Sequence, residues 1–162
     1  MLVYHGSNME ISNPDIRYGR FNLDFGQGFY VTTLQTQADK WARRRAKASK
    51  KEPSVSVYEF NITDLDVLTF DGYTEEWLDF VVKNRTGTAK AHKYDVIYGN
   101  IADDDVATVV NDYVRLLNRG RISQTGKMFY LEQLQYSEPN NQYCIATTKG
   151  INALNFIKSY CL

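Results

Sequence analysis

The stretch Phe25-Gly26-Gln27-Gly28-Phe29-Tyr30-Val31-Thr32 constrains the fold more than any other part of the chain. Two glycines separated by one residue lead directly into an aromatic, β-branched run. That order predicts a tight turn delivering a strand over Phe29 to Thr33. Gly28 is expected to supply either a positive φ or close approach of backbone to a ligand. So short a strand needs partners. Ser54-Val55-Ser56-Val57-Tyr58-Glu59-Phe60 alternates strictly and is the clearest strand pattern in the sequence. Leu2 to Tyr4, ended by Gly6, and Val67 to Phe70, Tyr94 to Gly99 and Gln142 to Thr147 read as further strands.

Helical periods fill the intervals. Thr36 is expected to cap a helix through Ser49, with Ala38, Trp41, Ala42 and Arg45 on one face and Pro53 beyond its end. Thr74 starts a second through Asn84, with Trp77, Leu78, Val81 and Val82 inward. Asp103 or Asp104 suits the N-cap of a third, Asp105 to Asn118, stopped by Gly120. Lys127 to Gln135 reads as a helix with Met128, Leu131 and Leu134 inward, and Lys149 to Tyr160 as a terminal helix. Asn8 to Phe25 and Arg85 to Lys93 are polar loops, the first long enough to suggest function. With no repeat and no linker, residues 1–162 read as a single α+β domain with a real core.

The formal net charge is zero, so no global field recruits nucleic acid or membrane. Seven basic residues lie between Lys40 and Lys51, a run that most simply forms the solvated face of a helix. Cys144 and Cys161 lack CxxC spacing and metal-ligand partners, which points to reduced thiols in a cytoplasmic protein without a metal. No apolar run approaches the roughly 18 residues of a membrane span, and the N-terminus has no signal pattern. No membrane partner is expected.

A second short motif, Tyr4-His5-Gly6-Ser7, opens the chain. A His-Gly pair at a strand end puts an imidazole and free backbone N–H and C=O groups at one edge. That suits a ribose hydroxyl and a carboxamide. It equally suits a structural histidine. Tyr30 and Trp41, eleven residues apart, are either core aromatics or two faces that clamp a flat ring. Spacing alone leaves both readings open.

Taken together, Tyr4-His5-Gly6-Ser7, Phe25-Gly26-Gln27-Gly28-Phe29-Tyr30 and Trp41 resemble the donor site of ADP-ribosyltransferases, most of all the poly-ADP-ribose polymerase and diphtheria-toxin branch. The Asp-Phe-Gly-x-Gly-Phe-Tyr and Tyr-Asp-x-x-x-Gly-x-x-Ala-Asp-Asp pieces are also similar to an uncharacterised family of small bacterial proteins of this kind. The resemblance implies two small antiparallel sheets forming an NAD cleft with flanking helices. It implies that His5 bonds a ribose hydroxyl, that Gly6 holds the nicotinamide amide through its backbone, and that Ser7 contacts the adenosine side. Tyr30 and Trp41 would sandwich the nicotinamide ring, with Gly28 in the turn below. Arg17 and Arg20, in the long loop, are candidates for the pyrophosphate.

Two positions depart from the pattern. The strand that carries the family's catalytic glutamate reads Asn141-Gln142-Tyr143 here, so the position is Gln142. Glutamine keeps the hydrogen bond to the ribose 2′-hydroxyl and loses the charge, which lowers the electrostatic part of the rate. Asp103, Asp104 and Asp105 are candidates to supply that charge, Asp104 among the catalytic set, against the plainer reading of acids at a helix N-terminus. Glu138 reads as a solvated turn residue. Ala38 replaces a hydroxyl residue of the polymerase branch, a role that Gln37 could take over. The resemblance thus implies a mono-ADP-ribosyltransferase that uses NAD as co-substrate and a macromolecular acceptor. A toxin or defence role, with an antitoxin protein as partner, is the implied context. The alternatives are a silent NAD or ADP-ribose binding module and an NAD glycohydrolase.

Overall fold

The computed structural model describes residues 1–89, 92–102, 106–135 and 138–162. Strand β1 (Leu2–Ser7) pairs antiparallel with β3 (Ser54–Phe60), which pairs antiparallel with β7 (Leu154–Cys161). A second sheet has the order β2 (Phe29–Val31), β6 (Gln142–Ile145), β5 (Val96–Gly99), β4 (Val67–Thr69). Its β4–β5 pair is parallel. The sheets are therefore not both antiparallel: helix α2 (Glu75–Arg85) carries the chain from β4 back to β5, the crossover that a parallel pair requires. The fold class is α+β.

The four-stranded sheet is covered on both faces, and the strand alternation shows how. Ile97 and Cys144 point to a core with Phe25, Trp77, Leu78, Val81 and Leu134, under α2, α3 (Val106–Asn118) and α4 (Gln124–Leu134). Their neighbours Val96 and Ile145 point the other way, to Val3, Phe29, Val31, Tyr58 and Phe60 between the two sheets. Helix α1 (Gln35–Ser49) lies on β1 and β3 through Ala38 and Ala42, which pack on Val55. Small side chains one turn apart let the helix come close, and a Cβ on Gly6 would overlap the Ala38 carbonyl.

Several sequence expectations hold. Thr74 caps α2 by accepting from the Trp77 N–H, and Trp77, Leu78, Val81 and Val82 are buried as expected. Others need correction. Leu34, not Thr36, is the N-cap of α1, and its buried face is Ala38, Ala42 and Ala46, leaving Trp41 and Arg45 exposed. Strand β1 does not end before Gly6 but runs through it, because Gly6 pairs with Val55 and Ser7 with Ser54. On α4, Tyr130 and Leu134 face inward one turn apart, so Met128 falls on the outer side and is 56 % exposed.

The largest correction is at the C-terminus. In place of a helix to Tyr160, a short α5 (Thr148–Asn152) is followed by strand β7. The open edge of β3 takes Leu154–Cys161 as its outer strand, and that long-range pairing overrides the local helical period. Asp103, Asp104 and Asp105 lie outside the described residues.

Candidate functional site

Past one point the two sheets diverge. Tyr4 N–H donates to the Thr32 carbonyl at 2.8 Å and Thr32 N–H returns the bond at 3.0 Å, the only bridge between β1 and the chain after β2 among the described residues. Two residues on, strand alternation turns the Gly6 amide and carbonyl to the same edge, with no β2 partner opposite. A cavity of about 680 Å³ opens there, within the usual size range of small-molecule sites. His5, Gly6, Ser7, Gly28, Tyr30, Trp41 and Gln142 all line it.

His5 Nδ1 lies 2.7 Å from the Tyr30 carbonyl, so the neutral ring carries its proton on Nδ1 and donates there. Its ring stacks on Phe29 at 4.4 Å between centroids. Burial holds the imidazole pKa below its ordinary value, the bond to Tyr30 opposes this, and the Arg45 charge adds to the lowering. Nε2 is left as an acceptor, and His5 lines the cavity.

Tyr30 lies opposite Cys144 on β6, which puts its ring on the same sheet face as Gln142, two residues earlier. Its hydroxyl is fully employed by the turn before it: it accepts from Phe25 N–H at 3.1 Å and donates to the Gly26 carbonyl at 2.7 Å. Burial raises the phenol well above its ordinary pKa, with Cys144 and the Asp24 charge adding to this. Tyr30 therefore offers a ligand its ring and not its hydroxyl. Trp41, 38 % exposed at the rim, carries the Arg44 guanidinium 5.3 Å above its ring centroid. Both residues line the cavity.

Gln142 forms the floor. Its side chain is buried, and Nε2 donates to Asp24 Oδ2 at 3.0 Å and to the Asn100 carbonyl at 3.1 Å. Asp24 also accepts from Arg85 Nε at 2.8 Å and from Ala102 N–H at 3.0 Å. A carboxylate thus does lie beside Gln142, but it is Asp24. Sequence reasoning missed it and its partner Arg85, which stands 61 residues away at the end of α2. The one available signal was the place of Asp24 immediately before Phe25-Gly26.

Other expected residues fall elsewhere. Gly28 does not have a positive φ; that belongs to Gly26, at 83°. A Cβ on Gly28 would meet Cys144 Sγ at 2.5 Å and the Ile145 carbonyl at 2.7 Å, so the glycine permits close approach to β6 while also lining the cavity. Arg17 does not line the cavity. Its guanidinium is paired with Asp15 at 2.6 Å and is 82 % exposed. Arg20 and Arg45 do line it. Gln37 lines the cavity as well, with its amide tied to Asn141, donating to the carbonyl at 2.7 Å and accepting from the N–H at 3.2 Å. Ser7 is buried, with its Oγ 3.4 Å from Asn8 Oδ1. Glu138 is exposed and paired with Lys40.

A family model described as "Protein of unknown function (DUF3990)" matches residues 1–156, and the chain belongs to that family. No curated protein and no solved structure matches the chain. Among the described residues no cluster of histidine, cysteine or carboxylate side chains could hold a metal ion, and no helix is long and apolar enough to cross a membrane.

Proposed function

We propose that this protein is an NAD-dependent mono-ADP-ribosyltransferase whose donor site is the cavity where the two sheets part. The observation that carries the reading is convergence. His5, Gly6, Tyr30, Trp41 and Gln142 come from β1, β2, α1 and β6 and line one cavity of dinucleotide-compatible volume. Two acceptor atoms, His5 Nε2 and Gln142 Oε1, suit ribose hydroxyls. The Gly6 amide and carbonyl suit a carboxamide, and the Tyr30 and Trp41 rings offer two flat apolar faces to a nicotinamide. Arg20 and Arg45 replace Arg17 as the cations for a pyrophosphate.

In the reaction the bond between nicotinamide nitrogen and ribose C1′ breaks, and its electron pair leaves on nicotinamide. A nucleophile of the acceptor bonds C1′ and gives up its proton to water. The residues named bind and orient the dinucleotide and exclude water from the reacting carbon. The acceptor is a macromolecule, and a toxin held in check by a protein partner is the biological context we infer.

One observation favours a second reading, a module that binds NAD or ADP-ribose without turnover. Each carboxylate described in the cavity lining is engaged: Asp24 by Arg85, Asp15 by Arg17, and Glu10 by the Ser159 hydroxyl. Nicotinamide release from NAD by the purified protein, with and without cell lysate, separates the readings. Release that needs lysate and vanishes in Gln142→Ala is expected for the transferase. Release without lysate identifies a glycohydrolase, and saturable NAD binding without release identifies the binding module.

A further inference from the structure

Asp24 is a buried carboxylate with four donors on its two oxygens. Arg85 Nε and Nη2 donate to Oδ1, and Ala102 N–H and Gln142 Nε2 donate to Oδ2. Four is all that a carboxylate accepts comfortably. The bond to Gln142 does more than tie β6 to the loop. The Asn100 carbonyl takes the other Nε2 hydrogen, and that carbonyl also accepts from Trp77 Nε1 at 3.1 Å. Both amide hydrogens of Gln142 are therefore spent. Turning the amide end for end would set its oxygen about 3 Å from two acceptors, at the cost of unpaired buried polar groups. Oε1 remains as the one polar atom of this side chain open to a ligand, and it can only accept.

We propose that Asp24, backed by Arg85, is a positioning residue that locks the Gln142 amide with Oε1 toward the cavity, so that the floor takes a ligand hydroxyl, requires glutamine and rejects glutamate. The donor-site reading enters only in naming that hydroxyl as one of a ribose; the lock itself stands without NAD. Glutamine at this position is then no decayed glutamate. A carboxylate at 142 would oppose Asp24 Oδ2 and the Asn100 carbonyl where a donor now sits, and Gln142→Glu would damage the floor instead of restoring a charge.

The charged and titratable groups around position 142 are Asp24 from the loop, Arg85 from α2, Tyr30 from β2 and Cys144 on β6. Burial holds Tyr30 well above its ordinary range and pushes Cys144 up to about 12, so both stay neutral near pH 7. A glutamate introduced beside Asp24 has its charged form disfavoured in the fold, which raises its folded pKa above the unfolded value of about 4.3. Stability is then retained at low pH and lost as pH rises through the folded pKa.

The test is thermal unfolding of wild type, Gln142→Glu, Asp24→Asn and the double variant between roughly pH 5 and pH 8, the window a raised carboxyl pKa spans. NAD titrations run alongside. The melting deficit of Gln142→Glu relative to wild type is expected to widen as pH rises. It should shrink in Asp24→Asn/Gln142→Glu, where the asparagine amide donates to the new carboxylate at unchanged net charge. Packing of Asp24 against Gln142 without a hydrogen bond between them would produce neither the pH trend nor the rescue, and the NAD titrations report whether the positioned Oε1 serves a ligand. A deficit independent of pH, or one equally large in the Asp24→Asn background, overturns the proposal. If Gln142→Glu does not fold at any pH, recovery of folded protein in the double variant supports the lock and failure to recover it overturns the lock. The pH trend and rescue without any NAD binding would uphold the lock and remove the donor-site reading.

Discussion

The floor and the rim of the cavity are built on opposite rules. At the floor, Asp24 and Gln142 are buried and their donors and acceptors are matched one to one, save the Gln142 oxygen. At the rim, Trp41 is partly exposed, and Arg20 and Arg45 stand in solvent with no ion pair among the described residues. The difference teaches where stability and binding are coupled. A polar group in a saturated buried network cannot be removed without orphaning its partners, whereas a rim side chain can be removed with little effect on folding.

The largest expected effect lies at the floor. Asp24→Ala leaves the Arg85 guanidinium without its anion and the Gln142 amide without an acceptor. Breaking such a pair should cost about 3 kcal/mol or more, read by chemical denaturation. A loss under about 1 kcal/mol would place the floor in the same class as the rim.

Acidification probes the wall between them. Because burial lowers the pKa of His5, its contribution to stability is present above the unfolded value of about 6.5 and declines as pH falls through the folded one. Stability should therefore begin to fall below about pH 6.5, by at most roughly 1.4 kcal/mol per pH unit for this one group. NAD affinity should hold longer and drop only where the folded imidazole protonates and Nε2 ceases to accept. Calorimetric titrations of wild type and His5→Gln across that range check the order of the two losses.

At the rim, Trp41→Ala should weaken NAD binding by about 1 kcal/mol while changing unfolding free energy by no more than about 0.5 kcal/mol. A large loss of stability would mean that Trp41 is part of the core. Smallest of all is Arg17→Ala. With its guanidinium turned to Asp15 and outside the cavity lining, the variant should match wild type in melting temperature and NAD affinity.

The same contrast governs what could be read in the sequence. The apolar period marks α2 because Trp77, Leu78, Val81 and Val82 face one core, and alternation marks β3 although both of its faces are covered, Val55 under α1 and Tyr58 and Phe60 between the sheets. Tyr30 and Trp41 are local landmarks, close enough in the chain for their spacing to carry information. Gly6 and Gly28 stand out for the right residue type, but the partners that demand them, Ala38 on α1 and Cys144 on β6, are fixed only by the tertiary packing. Strand β7 was hidden because nothing in Leu154–Cys161 records the open edge of β3. Arg85 was hidden for a related reason: a carboxylate and a guanidinium 61 residues apart have no joint signature until the chain folds.

The most direct measurement of the central claim uses the two tryptophans. Trp77 is fully buried with its indole N–H on the Asn100 carbonyl, and Trp41 stands at the cavity rim. NAD titrated into the protein should quench tryptophan emission saturably, and the quench should disappear in Trp41→Phe while calorimetry still detects binding. Absence of any saturable change in wild type, or an undiminished quench in Trp41→Phe, would contradict a nicotinamide slot between Tyr30 and Trp41.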